Sequence, residues 1–334
     1  MVFSRYFRTA TASLLFLLSA RALAQAPRVF VVSVDGLRAD MVSAERMPNL
    51  AMHAARGFHA PEAQCDLPAS TVVNHATLLT GVTAQRHGIL VEFALPAQIP
   101  LPTIMTHAAA AGLRCGFFAT KDKLAFLANP ADCDRVEIDG DSDEIVAACL
   151  GYLAEDDPDF IFLHLRDPDS AGHRDGWLSD AYFAAVGKAD EHLARVIDAA
   201  TENAARPTYV LVTADHGGEN NSHFWNTPSV RRIPWVLLGP GVRTAADVTG
   251  VVFTADTMPT ALALLGLHVP CNLDGRDMTP LLLVEAEESG PETNDTDARN
   301  DPAPSASIPC FALMFPLLLF AASRMTSGIF SSRT

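Results

Sequence analysis

Short apolar runs recur along the chain, each bounded by polar or turn residues: Val29–Val34, Cys115–Ala119, Phe160–Leu165, Tyr209–Thr213 and Trp235–Leu238. Near-continuous apolar runs of this length mark strands buried on both faces. Between them lie amphipathic helical patterns, clearest at Leu178–Ala199 and Thr257–Leu265. Strands alternating with helices predict an α/β fold: a three-layer α/β/α sandwich around a mostly parallel central sheet. Residues 25–284 have a size usual for one such domain, and no internal repeat divides them.

The two ends follow other patterns. Arg5 and Arg8, an apolar stretch around Leu14–Leu18 and the small-x-small triplet Ala22-Leu23-Ala24 make residues 1–24 a secretory signal. The apolar stretch is short for a membrane span, which needs about 20 residues. Residues 285–307 form an acidic linker rich in Pro and Ser, with the composition of a disordered segment. Residues 308–323 are apolar and uncharged and are followed by Arg324 and Arg333 in a short tail, 324–334. This is the pattern of a C-terminal membrane anchor with its basic flank inside. Pro309 and Pro316 weaken a helix there, so a processed sorting tail is the alternative.

The net charge of −15 argues against a broad nucleic-acid-binding surface. Six cysteines are scattered without a C-x-x-C metal pattern. In an exported chain they read as buried thiols or as one or two disulfides.

Candidate chemistry sits where strands end. Asp35 directly follows the first apolar run, Asp169 and His173 follow the third, and Asp215 and His216 follow the fourth, with His223 seven residues after His216. In open α/β sheets ligands bind at the carboxyl ends of the strands. Three carboxylates and three imidazoles delivered to one sheet edge suit zinc, and are enough for two divalent ions about 4 Å apart. Asp169 and His173, four apart, read as a chelating pair in a loop entering a helix. Asp167 is an alternative ligand, and His164 lies within its strand. The segment Thr71–Gly81 predicts a helix capped by Ser70 or Thr71, whose free N–H groups favour an anion. Thr71 is the candidate nucleophile there. Asn74, on the same helix face, is the candidate donor to a phosphoryl oxygen.

The stretches VDGLRAD, STVVNHATLLTG with RHGI, DPDSAGH and TADHGG, together with IPWVLLGPGV and ADTMPTALALLGL, resemble the alkaline phosphatase superfamily. The resemblance is to its branch of type I phosphodiesterases, nucleotide pyrophosphatases and phosphonoacetate hydrolase, and it runs from about Val29 to Leu282. It implies an alkaline-phosphatase-like fold and two metal ions, usually zinc. One would be held by Asp35, Thr71, Asp215 and His216, the other by Asp169, His173 and His223. It also implies a phospho-enzyme formed on Thr71 and then cleaved by water. Phe224 departs from the glycine that often follows the last histidine.

Lys121 and Lys123 follow the second apolar run. They resemble the K-D-K/R element of phosphonoacetate hydrolase and are the candidate contacts to a dianionic phosphoryl group. The expectation is therefore an exported hydrolase of small phosphorylated substrates, leaning to phosphomonoesters and tethered to a membrane through its C-terminus. A diesterase or nucleotide pyrophosphatase, a phosphonate hydrolase and a non-catalytic tethered binding protein are the alternatives. Cys65-Asp66-Leu67-Pro68 has the wrong spacing for a sulfatase signature and lacks its arginine.

Overall fold

The computed structural model describes residues 26–202, 205–244 and 250–284. The signal-like segment, the acidic linker and the apolar segment 308–323 lie outside these residues. Among the described residues no helix is long and apolar enough to cross a membrane.

Among the described residues nine strands form: β1 (Arg28–Val34), β2 (Phe58–His59), β3 (Ala63–Gln64), β4 (Cys115–Ala119), β5 (Arg135–Ile138), β6 (Phe160–Leu165), β7 (Thr208–Thr213), β8 (Arg232–Ile233) and β9 (Trp235–Leu238). Seven make one sheet in the order β2-β9-β7-β1-β6-β4-β5, and β3 pairs with β8 apart from it. The central five, β7 to β5, are parallel, whereas β9 and β2 join antiparallel at one edge. Every residue of β1, β4, β6 and β9 is buried. Burial on both faces is why these segments read as unbroken apolar runs.

Seven helices are labelled here: α1 (Pro48–Ala54), α2 (Thr71–Thr80), α3 (Ile104–Ala110), α4 (Ser142–Asp156), α5 (Asp167–Asp175), α6 (Asp180–Thr201) and α7 (Thr257–Leu264). They form two groups. In one, α1, α4 and α5 pack around α6; in the other, α2 and α3 pack around α7, and each group also lies on the sheet. The result is the three-layer α/β/α arrangement. Asp169 and His173 lie within α5, not in a loop before a helix as the spacing suggested. Cys65, Cys115, Cys133, Cys149 and Cys271 are all free, so the disulfide expectation fails for these five; Cys65, Cys115 and Cys149 are packed as buried thiols.

Parallel register sets the position of the site. Val34 pairs with Leu165, Ser33 with Thr213 and Ala119 with His164. The adjacent strands β7, β1, β6 and β4 therefore end level, and the residues just after them share one edge.

Candidate active site

Asp35 leaves β1 with its N–H donating to Leu165 O at 2.8 Å, and its carbonyl accepts from Asp169 N at 3.0 Å. The ladder between β1 and β6 thus continues one step into the loops and fixes both carboxylates. Gly36 makes the turn possible. Its φ is +71°, and a Cβ there would lie 2.8 Å from Asp169 Cα. Its N–H donates to Asp215 Oδ1 at 3.1 Å, as does His216 N at 3.0 Å. Three strand ends are thereby joined, β1 to β6 through the backbone and β1 to β7 through the Asp215 carboxylate.

The histidines are oriented alike. His216 Nδ1 donates to Gly217 O at 2.8 Å, His223 Nδ1 to Ala69 O at 2.6 Å and His173 Nδ1 to Asn221 O at 3.1 Å. Each Nε2 is left as the lone-pair nitrogen. A ring N–H tied to a carbonyl is the usual support for a metal-ligating imidazole. His216 and His223 stack with centroids 3.9 Å apart, and His173 lies edge-on to His223 at 4.9 Å.

Asp35 Oδ1, Asp169 Oδ1, Asp215 Oδ2 and His216 Nε2 are buried without a hydrogen-bond partner. Orphaned buried polar atoms are costly, and four facing one another fit a cation. Ligand atoms of Asp35, Asp215 and His216 lie within 4.8 Å of one another, and so do those of Asp169, His216 and His223. His216 belongs to both groups and links them. His173 Nε2 comes 3.4 Å from Asp169 Oδ1, at the more exposed side of the second group. Carboxylate oxygens and neutral imidazoles are the donor set of a divalent ion such as zinc.

Electrostatics agree. Burial pushes the Asp35 carboxyl up, but Lys121, His164 and His216 outweigh it and hold it well below the ordinary range. Burial and neighbouring Asp35 push Asp215 well above that range. Burial lowers His216, and burial with His216 nearby lowers His223 to about 4. Both imidazoles are thus neutral near pH 7, as metal binding requires.

Thr71 is the first residue of α2 and is buried. Its carbonyl accepts from His75 Nδ1 at 2.7 Å, and that nitrogen also lies 3.7 Å from Asp215 Oδ2. Two residues earlier, Ala69 O holds His223. The segment leading into α2 is therefore tied to the ligand cluster at both ends. Ser70 is the N-cap residue, but its side chain does not cap the helix.

The remaining candidates make other contacts in this structure. Asn74 does not face the site. Its Oδ1 accepts from Asp66 N at 2.7 Å, and its Nδ2 lies 3.2, 3.3 and 3.5 Å from the carbonyls of Asp66, Pro68 and Ser70. Its amide is spent on clamping the loop before α2, so it has no N–H left for a phosphoryl oxygen. Lys121 lies among the candidate ligands, with Nζ 2.7 Å from Asp35 Oδ2 and 2.6 Å from Asp169 Oδ2. Lys123 is paired with Glu92 through contacts of 3.0 and 2.9 Å. Both ammonium groups are paired with carboxylates. Asp167 accepts from Ser142 Oγ and stands apart from the ligands.

Several supporting residues gave little sequence signal. His164 Nε2 donates to Asp35 Oδ2 at 3.0 Å, while its Nδ1 accepts from Thr120 Oγ1 at 2.9 Å. Trp177 donates to Gly36 O at 2.9 Å and lies near both His173 and His223. It fits only because Gly172 and Gly218 lack side chains: a Cβ on either would fall within 2.6 and 2.1 Å of its ring. Glu92 also accepts from Ser70 Oγ at 2.9 Å. Only the burial of His164 in a strand run hinted at any of these.

Comparison with known proteins places the fold and site in a family. The family model described as type I phosphodiesterase / nucleotide pyrophosphatase matches residues 29–95, and that of the metalloenzyme superfamily matches residues 103–268. The chain belongs to the alkaline phosphatase superfamily. Within this superfamily it is 27% identical over 223 residues to a venom phosphodiesterase of Macrovipera lebetinus, covering 59% of this chain and 26% of that protein. The chain spans about a quarter of the length of the curated relatives it matches. Human ectonucleotide pyrophosphatase / phosphodiesterase 5 superposes with a TM-score of 0.64 at 16% identity, over 76% of this chain and 99% of that one. The phosphonate monoester hydrolase of Agrobacterium radiobacter superposes with a TM-score of 0.61 at 16% identity, over 77% of each chain. At these identities the superpositions establish a shared fold.

Proposed function

We propose that the protein is a two-metal phosphoric ester hydrolase with Thr71 as nucleophile, exported by its N-terminal segment. The observation that carries this reading is the set of buried, partnerless ligand atoms on Asp35, Asp169, Asp215 and His216 beside the first residue of α2. Asp35, Asp215, His216 and Thr71 would hold one divalent ion; Asp169, His173 and His223 would hold the other, with His216 within reach of both groups. Two zinc ions would supply Lewis-acid stabilisation of the attacking and leaving oxygens.

The chain's own residues supply the remainder. The uncapped first turn of α2 offers N–H groups and a positive dipole end to a phosphoryl oxygen. Thr71 stands at that position, so its hydroxyl oxygen attacks phosphorus, the P–O bond to the leaving group breaks, and water then cleaves the phosphothreonine. His75 and Asn74 hold the backbone around the nucleophile.

The pairing of Lys121 and Lys123 favours a singly charged phosphodiester over a dianionic monoester. The match to a phosphodiesterase family model agrees. Assay of the zinc-loaded protein on bis-p-nitrophenyl phosphate and p-nitrophenyl phosphate tests this, with a higher kcat/KM expected on the diester. A higher value on the monoester would restore the dianion reading. Thr71→Ala is expected to abolish turnover while zinc content is retained; unchanged turnover would remove Thr71 from the mechanism. Absence of hydrolysis of these esters and of phosphonoacetate would favour a binding protein.

A further inference from the structure

Glu92 is outside the ligand cluster, yet it holds both Ser70, next to Thr71, and Lys123. One carboxylate accepts from Ser70 Oγ at 2.9 Å and pairs with Lys123 Nζ at 3.0 and 2.9 Å. Ser70 immediately precedes Thr71, so this negative charge is anchored one residue from the proposed nucleophile. The loop that carries it is fixed at both ends. Ile89 N donates to His87 Nδ1 at 3.0 Å, and Ile99 N donates to Phe126 O at 2.8 Å. The Glu92 side chain is 40% exposed, so it lies at the surface and not in the core. Partial burial pushes its carboxyl up, but Lys123 and Ser70 outweigh that and hold it below the ordinary carboxylate range, so it is ionised at neutral pH.

We propose that Glu92 is a specificity-determining residue that sets the charge of the phosphoryl site, admitting singly charged phosphodiesters and disfavouring dianionic phosphoryl groups. The proposal rests on the hydrolase reading. Two effects of Glu92 act in the same direction. Its charge repels a second negative charge on the substrate, and its ion pair withdraws Lys123, an ammonium not engaged by Asp35 and Asp169. Glu92→Gln removes both effects and keeps an acceptor for Ser70.

The test uses the zinc-loaded full-length protein. Wild type, Glu92→Gln, Lys123→Ala and the double variant are assayed on p-nitrophenyl phosphate and its bis ester. Glu92→Gln should raise the monoester-to-diester ratio of kcat/KM about tenfold, a modest value because the carboxylate is partly exposed. The double variant should keep only the part of that gain due to the lost Glu92 charge, since the released Lys123 ammonium is then gone. An unchanged or lower ratio in Glu92→Gln, at equal zinc content, overturns the proposal. Titration calorimetry with inorganic phosphate gives a readout independent of turnover: about tenfold tighter binding by Glu92→Gln is expected, and unchanged binding overturns the proposal. If wild type hydrolyses neither ester, the hydrolase reading fails, and the phosphate titration still decides whether Glu92 sets the charge of the site.

Discussion

Asn74 and His164 show how little a residue's type reveals about its task. Both are fully buried polar side chains, and both act on neighbours. Asn74 holds the loop before α2, so Asn74→Ala leaves Asp66 N without its 2.7 Å acceptor. The expected cost is about 1–3 kcal/mol, read as a Tm lowered by several degrees. An oxyanion donor would instead lower kcat with Tm unchanged. His164→Ala removes the hydrogen bond that orients Asp35. Loss of such a supporting contact typically weakens metal affinity or activity by about 10–100-fold, measurable by competition with a chelator. The neutral imidazoles carry a pH dependence. His223 titrates at about 4 in the folded protein because burial and His216 lower it, against about 6.5 when unfolded. Below about 6.5 the unfolded chain takes up a proton that the folded chain does not, so this contribution to stability is lost as pH falls from about 6.5 toward 4. Thermal melts of the metal-free protein across that range should show a falling Tm.

Among the elements, those with buried apolar runs were legible in the sequence. β4, β6 and β9 have the bounds their composition predicts, and β1 and β7 begin one residue earlier. β5 was not, because Arg135-Val136-Glu137-Ile138 lies at the sheet edge with its residues half-buried or exposed and carries no apolar run. β2, β3 and β8 have only two residues each, too short for any period to appear. The site was legible where a ligand follows a strand, as at Asp35 and Asp215. It was illegible where a role depends on long-range partners, as with the pairings of Lys121, Lys123 and Glu92. Trp177, packed between α5 and the turn after β7, is the element-scale support with the weakest sequence signal. Trp177→Ala should cost about 3–5 kcal/mol and free His173 and His223 to reorient. A lowered Tm together with reduced zinc affinity would show the coupling; lowered Tm alone would limit Trp177 to packing.

At the scale of the whole molecule, acidic residues exceed basic ones, and the described site concentrates that imbalance: three carboxylates face one ammonium, Lys121. Burial alone would lower Lys121, but Asp35 and Asp169 outweigh it and raise it. Divalent ions at Asp35 Oδ1 and Asp169 Oδ1 and Lys121 at the Oδ2 atoms thus share the same two carboxylates. Lys121→Gln should melt lower than wild type when metal-free, by about 3 kcal/mol for a broken, largely buried pair. Its Tm should also rise more than wild type's on adding zinc. Equal zinc-induced shifts would show that Lys121 does not compete.

The level endings of β7, β1, β6 and β4 have a consequence for what can vary. Neighbouring strands are spaced about 4.8 Å apart by the hydrogen-bond ladder, so the backbone itself acts as a ruler for the separation of Asp215, Asp35, Asp169 and Lys121. Substitutions in the loops above can change what enters without altering that ruler, whereas a slip of one residue in β1 would displace every mark on it.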